Sequence, residues 1–523
     1  MIRRSRGKRI ARALATAIAA VALVAALGVG ISACGSDSSS SSDSAGYSFT
    51  GSGHPNVDQA STRYSGGPID SSTVGDLEVA WTLPITSPPS AFGSYASSPI
   101  VSKGVIYSQD LSSNVQAIEQ ETGKVLWSAT YEMPDHGPNG VVVAEGRVYG
   151  ATPTFAFALD QKTGEEVWRT KLIRNNLEGI DIAPGYDDGL VYVSTVPVNV
   201  EEFYGGNGVG IIWALDAKTG KKVWKFNTVP KSLWGNPKVN SGGGLWYTPS
   251  FDGKGSMYVG IGNPGPVPGT EQFPWGSSRP GPNLYTNSVA KLDAKTGKLD
   301  WHYQLTPHDV NDWDLQNPPI LVEPEGKEMV IGSGKSGIVL GLDRKTGARL
   351  WEQPVGIHNG KDDIGYEAMV GNEPNKFPLK IYPGALGGVI APMAVDKTGS
   401  TVFVPVVNSP LTLLGPTEKT EEGPSTGEIV ALDTASGEVK WKKQLATPAF
   451  GATTAVNDLV FVTTYEGTIS AFEMKSGDVV WRQKLPAGTN VGVTVVDDML
   501  IAPAGVAAAE GQEPQIVAYR LGG

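Results

Sequence analysis

Four side chains between residues 242 and 337 carry chemistry that a catalytic site needs. They are the indole of Trp246, the amide of Asn263, the carboxylate of Asp314 and the ammonium group of Lys335. Carboxylate and amide oxygens bind hard divalent cations, a carboxylate can accept a proton, and an ammonium group stabilises developing negative charge. An indole offers a flat stacking surface. The same residue types also serve structural ends in cores, turns and solvated hairpins, so residue type alone leaves both interpretations open.

Other common catalytic arrangements do not stand out in the sequence. There is no clear Ser/His/Asp triad or phosphate-binding loop, and His302 and His308 lack the helical spacing of metal ligands. The chain has 1 Cys, which excludes intramolecular disulfides, Cys-rich zinc sites and a CxxCH haem attachment.

The charge balance argues against nucleic acid as a partner. The 523 residues include 42 Lys and Arg against 53 Asp and Glu, a formal net charge of -11. Six of the basic residues fall within positions 1–12, so the remainder is more acidic still. Nucleic-acid binding needs clustered Lys and Arg to contact phosphates. The 66 Gly and 37 Pro disfavour a helical bundle, and the 40% hydrophobic content excludes a disordered chain.

The N-terminal segment has the layout of a secretory signal followed by a tether. Basic residues 1–12 precede an Ala/Leu/Val-rich run and small residues before Cys34. A membrane-spanning helix is the alternative, but the run is short and rich in Ala and Gly for a span. Ile-Ser-Ala-Cys resembles the bacterial lipobox, so we expect residues 1–33 to be a lipoprotein signal peptide and Cys34 to be lipidated. Ser-rich residues 34–46 are then a flexible tether, and residues 47–523 are extracytoplasmic and anchored to the membrane.

One pattern recurs along residues 47–523 and predicts the fold. In order, it consists of a small residue, Leu, Asp, two variable residues, Thr or Ser, Gly, three variable residues and Trp. Such a pattern is typical of a strand, a tight turn and a second strand. Another short strand pair precedes most copies, and four short strands per unit are typical of a β-propeller. The complete copies are AIEQETGKVLW (117–127), ALDQKTGEEVW (158–168), ALDAKTGKKVW (214–224), KLDAKTGKLDW (291–301), GLDRKTGARLW (341–351), ALDTASGEVKW (431–441) and AFEMKSGDVVW (471–481).

Two further strands predict how the ring closes. Residues 79–82 supply a Trp-bearing strand and residues 516–520 supply the small-apolar strand that would precede it. Joined, they complete an eighth blade and remove exposed sheet edges. We therefore expect an all-β, eight-bladed propeller closed by its N- and C-terminal strands, with the recurring Trp packed between blades. The widest intervals between these Trp residues, 224–301 and 351–441, contain Gly- and Pro-rich insertions where function is expected.

This repeat resembles that of the pyrroloquinoline quinone (PQQ) dehydrogenase superfamily, which includes methanol and alcohol dehydrogenases. The same repeat occurs in non-enzymatic relatives such as the outer-membrane assembly lipoprotein BamB. Residues 242–337 are similar to the enzymes over a long block that contains GGGLWYTPSFD, YVGIGNPGP, NDWDLQNPP and GSGKSG. Within this block, the resemblance implies that Trp246 lies beneath the PQQ ring, that Lys335 faces the quinone oxygens and that Asp314 is the catalytic base.

The resemblance also implies a metal site. Asn263 matches an Asn that coordinates Ca2+, and the family's catalytic Asp, here Asp314, lies near the metal. For the metal-binding Glu we prefer Glu202 to the adjacent Glu201. Gln316 stands where lanthanide-dependent relatives have an extra Asp, which favours Ca2+. PQQ and Ca2+ are therefore the implied cofactors.

Three departures set this chain apart from the enzymes. The adjacent Cys pair found in many alcohol dehydrogenases is missing, and Asn139 stands where an Arg commonly precedes Gly140. The Gly-Gly-x-x-Trp stretch reads Gly387-Gly-Val-Ile-Ala391, without its Trp.

Two hypotheses of different class follow. The first is a lipid-anchored quinoprotein dehydrogenase that oxidises an alcohol or sugar-type hydroxyl and, lacking CxxCH, passes electrons to a separate acceptor. The second is a non-catalytic, BamB-like propeller that binds a partner as a scaffold. The enzyme hypothesis predicts that Trp246, Asn263, Asp314 and Lys335 converge on one central funnel.

Overall fold

Almost all the regular structure in the computed structural model is β-strand. It describes residues 53–89, 92–199, 205–421, 425–507 and 509–522. The predicted signal peptide, the lipidated Cys34, the tether and Glu202 lie outside these ranges, so they stay predictions. In the described part of the chain, no helix has the length and apolar character needed to cross a membrane.

The strands form a series of antiparallel four-stranded units. The first strands are β1 (Tyr64–Ser65) and β2 (Leu77–Pro84). The next two sheets are β3 (Ile100–Ser102), β4 (Val105–Gln109), β5 (Val115–Glu119) and β6 (Val125–Ala129), then β7 (Val142–Ala144), β8 (Arg147–Ala151), β9 (Phe155–Asp160) and β10 (Glu166–Lys171). The third contains β11 (Glu178–Gly179), β12 (Gly185–Asp187), β13 (Leu190–Pro197), β14 (Ile211–Asp216) and β15 (Lys222–Asn227).

The middle of the chain continues the series and adds two small sheets. In chain order, its strands are β16 (Ser241–Gly242), β17 (Ser250–Phe251), β18 (Ser256–Ile261), β19 (Pro264–Gly265), β20 (Ser288–Asp293) and β21 (Leu299–Gln304). They are followed by β22 (Ile320–Val322), β23 (Met329–Ser333), β24 (Ile338–Asp343), β25 (Arg349–Pro354), β26 (Leu379–Ile381), β27 (Ala394–Val395), β28 (Thr401–Asn408), β29 (Leu411–Gly415), β30 (Glu418–Glu421), β31 (Thr426–Asp433) and β32 (Val439–Leu445). The two small sheets are the pair of β16 with β19 and the three-stranded sheet of β26, β29 and β30.

The last strands finish the series. They are β33 (Thr454–Val456), β34 (Leu459–Thr463), β35 (Thr468–Glu473), β36 (Val479–Lys484), β37 (Thr494–Val496), β38 (Met499–Ala504) and β39 (Gln515–Leu521). Strand β2 pairs antiparallel with β39, with Trp81 opposite Ala518. The predicted joining of the two end strands in one sheet is therefore confirmed, and so is the all-β propeller fold.

The recurring Trp joins neighbouring sheets, as the repeat predicts. The indole Nε1 of seven of these Trp residues donates a hydrogen bond of 2.8–3.2 Å to a backbone carbonyl in the turn of the next sheet, from Trp81→Gln120 to Trp441→Met474. The turn Gly lies beneath the indole: Gly123 has φ +72°, and a Cβ there would lie 2.6 Å from the Trp81 ring. Only Gly gives both this backbone conformation and this close approach.

Residues 53–65, here called the crossing segment, connect the first strands of five sheets. Its backbone carbonyls accept hydrogen bonds from β7, β17, β22, β27 and β33, for example Phe251 N to Gln59 O at 2.7 Å and Val395 N to Thr62 O at 3.0 Å. Its β1 pairs parallel with β33. The first strands of neighbouring sheets contact one another, so the crossing segment lies across the middle of the propeller.

The two long insertions pack together into one cap. Its elements are helix α1 (Ile364–Met369), the 3-10 turn Pro274–Gly276 and the β26–β29–β30 sheet. Trp275, Trp313, Ile364 and Leu413 form its buried core. The other 3-10 turns are Val74–Asp76, Leu233–Gly235 and Pro324–Gly326. Since Trp313 immediately precedes Asp314, the cap lies over the block that the sequence singled out.

Candidate functional site

Two adjacent sheets supply the candidate site residues. Trp246 precedes β17, and Asn263 lies between β18 and β19, so both come from the sheet of β17, β18, β20 and β21. Asp314 precedes β22, and Lys335 lies in the turn between β23 and β24 of the next sheet. The four residues therefore lie on neighbouring loops of the fold.

The loop that carries Asp314 is ordered by another carboxylate. Asp309 accepts hydrogen bonds from the backbone N–H groups of Asn311 and Trp313, both at 2.8 Å. His308 contacts the backbone oxygen of Trp275 at 2.8 Å, and burial, with the nearby Arg279, lowers its pKa to about 4. His308 and Asp309 thus hold the loop.

Asp314 is the centre to which the other three residues converge. Its Oδ1 accepts hydrogen bonds from the Trp246 indole at 3.1 Å and from the backbone N–H of Asn263 at 2.8 Å. Its Oδ2 lies 2.6 Å from Lys335 Nζ, and that ammonium lies 5.9 Å from the centre of the Trp246 ring. The four residues therefore contact one another, as the enzyme hypothesis requires, and of the four only Trp246 is among the residues that line the central cavity described below.

Two glycines make this close approach possible. A Cβ on Gly262 would lie 2.7 Å from Asp314 Oδ1, and a Cβ on Gly334 would lie 2.0 Å from the Asp314 backbone oxygen. A side chain at either position would displace the carboxylate or the strand that carries it. The glycines in Ile-Gly-Asn and Ser-Gly-Lys are therefore part of the construction of the site.

A second carboxylate, Asp312, belongs to the same cluster and was missed from the sequence. Its Oδ2 lies 3.6 Å from Lys335 Nζ, and its side chain is 12% exposed. Burial raises its pKa to about 6, because desolvation outweighs the attraction of Lys335 and Lys419. The Asp-Trp-Asp motif, in which Asp312 stands two residues before Asp314, is the signal that could have identified it.

A small central cavity of about 50 Å³ lies beside Trp246. Trp246 and Tyr247 form part of its wall, and Asn56 and Arg63 of the crossing segment form another part. The indole in its wall offers a flat surface on which a ring can stack.

The departures from the enzyme pattern lie in the same cavity. Asn139 stands where the enzymes commonly have Arg, and Ala391 stands at the Trp position of the Gly-Gly-x-x-Trp stretch. Both residues line the cavity. Asn139 Oδ1 is buried and has no donor among the described residues. The wall therefore differs in charge and in aromatic area from the one that the resemblance implies.

The candidate metal ligands are brought together only in part. Asn263 and Asp314 are adjacent, but Glu202 lies outside the described ranges. Asn263 Nδ2 donates to the backbone oxygen of Pro264 at 3.1 Å, which leaves its amide oxygen as the possible ligand. Within the part of the chain that the structure describes, no group of three or more His, Cys, Asp or Glu could hold a metal ion.

A pair of buried carboxyl groups lies near the cavity. Asp135 and Asp181 are 3% and 2% exposed, and their side chains hydrogen-bond to each other. Burial, reinforced by the negative charge of Asp135, raises the pKa of Asp181 well above its usual value. Because a hydrogen bond between two carboxyl groups needs a proton, Asp181 is the group that holds it.

This pair makes stability depend on pH. The folded-state pKa of Asp181 lies above its unfolded value, so its stabilisation is complete below pH 3.8 and is lost as pH rises through the raised value. We expect Asp181→Asn to be more stable than the parent protein at pH 8 by about 1 to 3 kcal/mol, with a flatter pH profile. Urea unfolding from pH 4 to 9 measures this, with the exposed Asp188→Asn as the control. A parent profile that already matches that of Asp181→Asn would contradict the shared proton.

Family models match most of the chain. The model described as "Glucose/ethanol/alcohol dehydrogenase, beta-propeller domain" matches residues 54–149 and 182–356, which together are more than half of the chain. A second model, "Outer membrane protein assembly factor BamB", matches residues 399–522. The first covers every candidate site residue that the structure describes.

Individual relatives agree with the first model. The chain is 27% identical over 485 residues to a quinohemoprotein alcohol dehydrogenase of Comamonas testosteroni, covering 79% of this chain and 66% of that protein. It is 28% identical over 404 residues to the dehydrogenase subunit of an alcohol dehydrogenase (quinone) of Gluconobacter oxydans, covering 66% and 50%. The chain thus spans between half and two thirds of the length of these curated relatives.

Solved structures show the same fold. The quinohemoprotein alcohol dehydrogenase of Comamonas testosteroni superposes with a TM-score of 0.77 at 24% identity, covering 99% of this chain and 84% of that one. A europium-containing methanol dehydrogenase gives a TM-score of 0.76 at 20% identity, covering 91% and 99%.

Proposed function

The chain belongs to the glucose/ethanol/alcohol dehydrogenase β-propeller family, and on this basis we propose that it is a quinoprotein dehydrogenase. Its substrate is an alcohol or a sugar-type hydroxyl, its cofactors are PQQ and Ca2+, and its electrons pass to a separate acceptor. The observation that carries this proposal is the contact of Asp314 with Trp246, Asn263 and Lys335 beside one cavity.

The types of side chain in the Asp314 cluster fit the proposed cofactors. Trp246 would lie against the flat ring, and Lys335 would face its oxygens. Asn263 and Asp314 would hold Ca2+, with Glu202 as the third protein ligand; carboxylate and amide oxygens are the ligands that Ca2+ prefers. When bound, PQQ would accept the hydride from the carbinol carbon while Ca2+ polarises a quinone carbonyl.

Asp314 is placed to take the substrate's hydroxyl proton. Its Oδ1 is held by two N–H donors, which fix the direction of the carboxylate. Its Oδ2, which is paired with Lys335, is the atom that accepts the proton. Lys335 then balances the negative charge that develops on the oxygens opposite it.

A titration with PQQ tests the proposal. We expect saturable binding that depends on Ca2+, seen as a change in cofactor absorbance and a rise in Tm. Trp246→Ala should weaken binding about 10- to 100-fold, because the stacking surface is lost, whereas Trp246→Phe should keep most of it. An alcohol screen with an artificial electron acceptor would follow. The absence of binding well above micromolar PQQ would contradict a quinoprotein.

A non-catalytic binding propeller is the second candidate, and two observations favour it. Asn139 and Ala391 replace a charged and an aromatic side chain in the cavity wall. The BamB model also matches residues 399–522. In that case PQQ would not bind. A pull-down from cell envelopes, with this protein as bait, would then identify a binding partner.

We also propose that the protein is extracytoplasmic and held at the membrane by a lipid on Cys34. The basic, apolar and small-residue order of positions 1–33 supports this. Labelling with a palmitate analogue, compared between the parent protein and Cys34→Ala, tests it.

A further inference from the structure

A buried arginine of the crossing segment forms one end of the central cavity. Arg63 is 4% exposed and lines the cavity together with Asn56 and Ser98. Its Nε donates to the backbone oxygen of Thr453 at 2.7 Å, and one Nη2 bond goes to Thr454 Oγ1 at 3.0 Å. Two longer bonds, both 3.4 Å, run from Nη1 to Asn56 Oδ1 and from Nη2 to Ser98 Oγ.

All of these acceptors are neutral, so no residue in the described ranges balances the guanidinium charge. No described carboxylate lies within 4.0 Å of Arg63. The titratable group with the largest electrostatic influence on Arg63 is the Tyr247 hydroxyl, which is uncharged near pH 7 because burial raises its pKa. Burial lowers the pKa of Arg63 to about 10, which still leaves it charged at neutral pH. Buried charges are normally paired, because an unpaired one loses its hydration without compensation.

The geometry leaves room for an anion. The bonds to Asn56 and Ser98 are at the long limit of hydrogen bonding, so a stronger acceptor can replace them at little cost. Both acceptor residues line the cavity, so the replaceable side of the guanidinium faces the cavity rather than the sheets. The planar guanidinium accepts a carboxylate through two parallel N–H bonds.

We propose that Arg63 is the anion-binding group of the central cavity and receives a carboxylate of the bound ligand. The carboxylate belongs either to PQQ, in which case the inference rests on the proposed function, or to a small organic acid. In both cases Arg63 provides the positive charge that this wall lacks at Asn139.

Asn56→Asp tests this by supplying an internal carboxylate. The substitution is nearly isosteric and places a negative charge beside Arg63, so it should raise the Tm of the unliganded protein and compete with an anionic ligand. Binding of PQQ, of its neutral trimethyl ester and of succinate is measured by thermal shift and calorimetry. Arg63→Gln is the second variant, which removes the charge and retains a hydrogen-bonding side chain.

The outcomes separate this inference from the proposed function. If PQQ carries the anion, its affinity falls about 10- to 100-fold in Asn56→Asp, while the affinity of the trimethyl ester is unchanged. If succinate stabilises the parent protein but neither variant, and PQQ does not bind, the anion site stands and the quinoprotein proposal fails. Equal binding of PQQ to the parent and both variants, or binding of no carboxylate at all, overturns the role of Arg63.

Discussion

The Asp314→Asn protein should oxidise alcohol about 10²- to 10⁴-fold more slowly than the parent protein, with PQQ and Ca2+ present. The substituted amide keeps the size of the side chain and its contacts with Trp246 and Asn263. It has no basic oxygen to accept the hydroxyl proton, which is the effect that removal of a general base produces. Steady-state rates with an artificial acceptor measure the change.

Asp312→Asn is the matched control for this prediction. It removes the other carboxylate beside Lys335, 3.6 Å from the ammonium, but it leaves Asp314 in place. We expect its rate to stay within about tenfold of the parent rate, because its effect is exerted only through the charge on Lys335. Equal losses in the two variants would show that net charge, rather than proton transfer at Asp314, controls the rate.

Lys335→Met should destabilise the folded protein by about 3 to 5 kcal/mol at pH 7. The Asp314 side chain is 0% exposed, and Lys335 is its cation at 2.6 Å. Removing the Lys335 ammonium leaves the buried Asp314 carboxylate without its cation. The nearby Asp312 carboxylate adds repulsion, so the negative charge on Asp314 is no longer compensated. Urea unfolding measures the difference in free energy.

Two comparisons make this result specific. The Asp314→Asn/Lys335→Met double variant should be more stable than Lys335→Met alone, because both charges of the pair are removed. Lys254→Met breaks an exposed ion pair with Glu328, 3.0 Å apart, and should cost less than about 1 kcal/mol. A loss in Lys335→Met that is no larger than the loss in Lys254→Met would contradict a buried, structural pair.

The fold was predictable because its signal is repeated. Each copy places an acidic residue, Gly and Trp at fixed spacing, and the structure uses the Gly and Trp for one purpose, the joint between sheets. The pairing of β2 with β39 was predicted because the seven complete copies leave one Trp-bearing strand at the front of the repeats and one small-apolar strand at the back, which together complete a further unit. Periodic sequence patterns predict local elements and their repetition well, since every copy obeys the same steric requirement.

The candidate site was only partly predictable. The resemblance selected Trp246, Asn263, Asp314 and Lys335, and the structure brings them together, but whether they act in catalysis stays a prediction. Arg63 was missed because its partners come from distant parts of the chain. Thr453 is 390 positions away, and no local pattern marks such a contact.

The packing of the two long insertions was also not predictable from the sequence. Their Gly and Pro content predicted loops, yet parts of both insertions pack into one cap with a buried core around Trp275 and Trp313. Packing between segments that have no common period depends on shape complementarity, which composition does not encode.

The pairing of β2 with β39 also has a consequence for the order of events during synthesis. Strand β2 is made early, but the strand that covers its edge is made only after every other sheet. Until then the nascent chain carries an open arc with two unpaired edges, and such edges are templates for aggregation. Loss of residues 515–521 would leave the edge of β2 permanently uncovered.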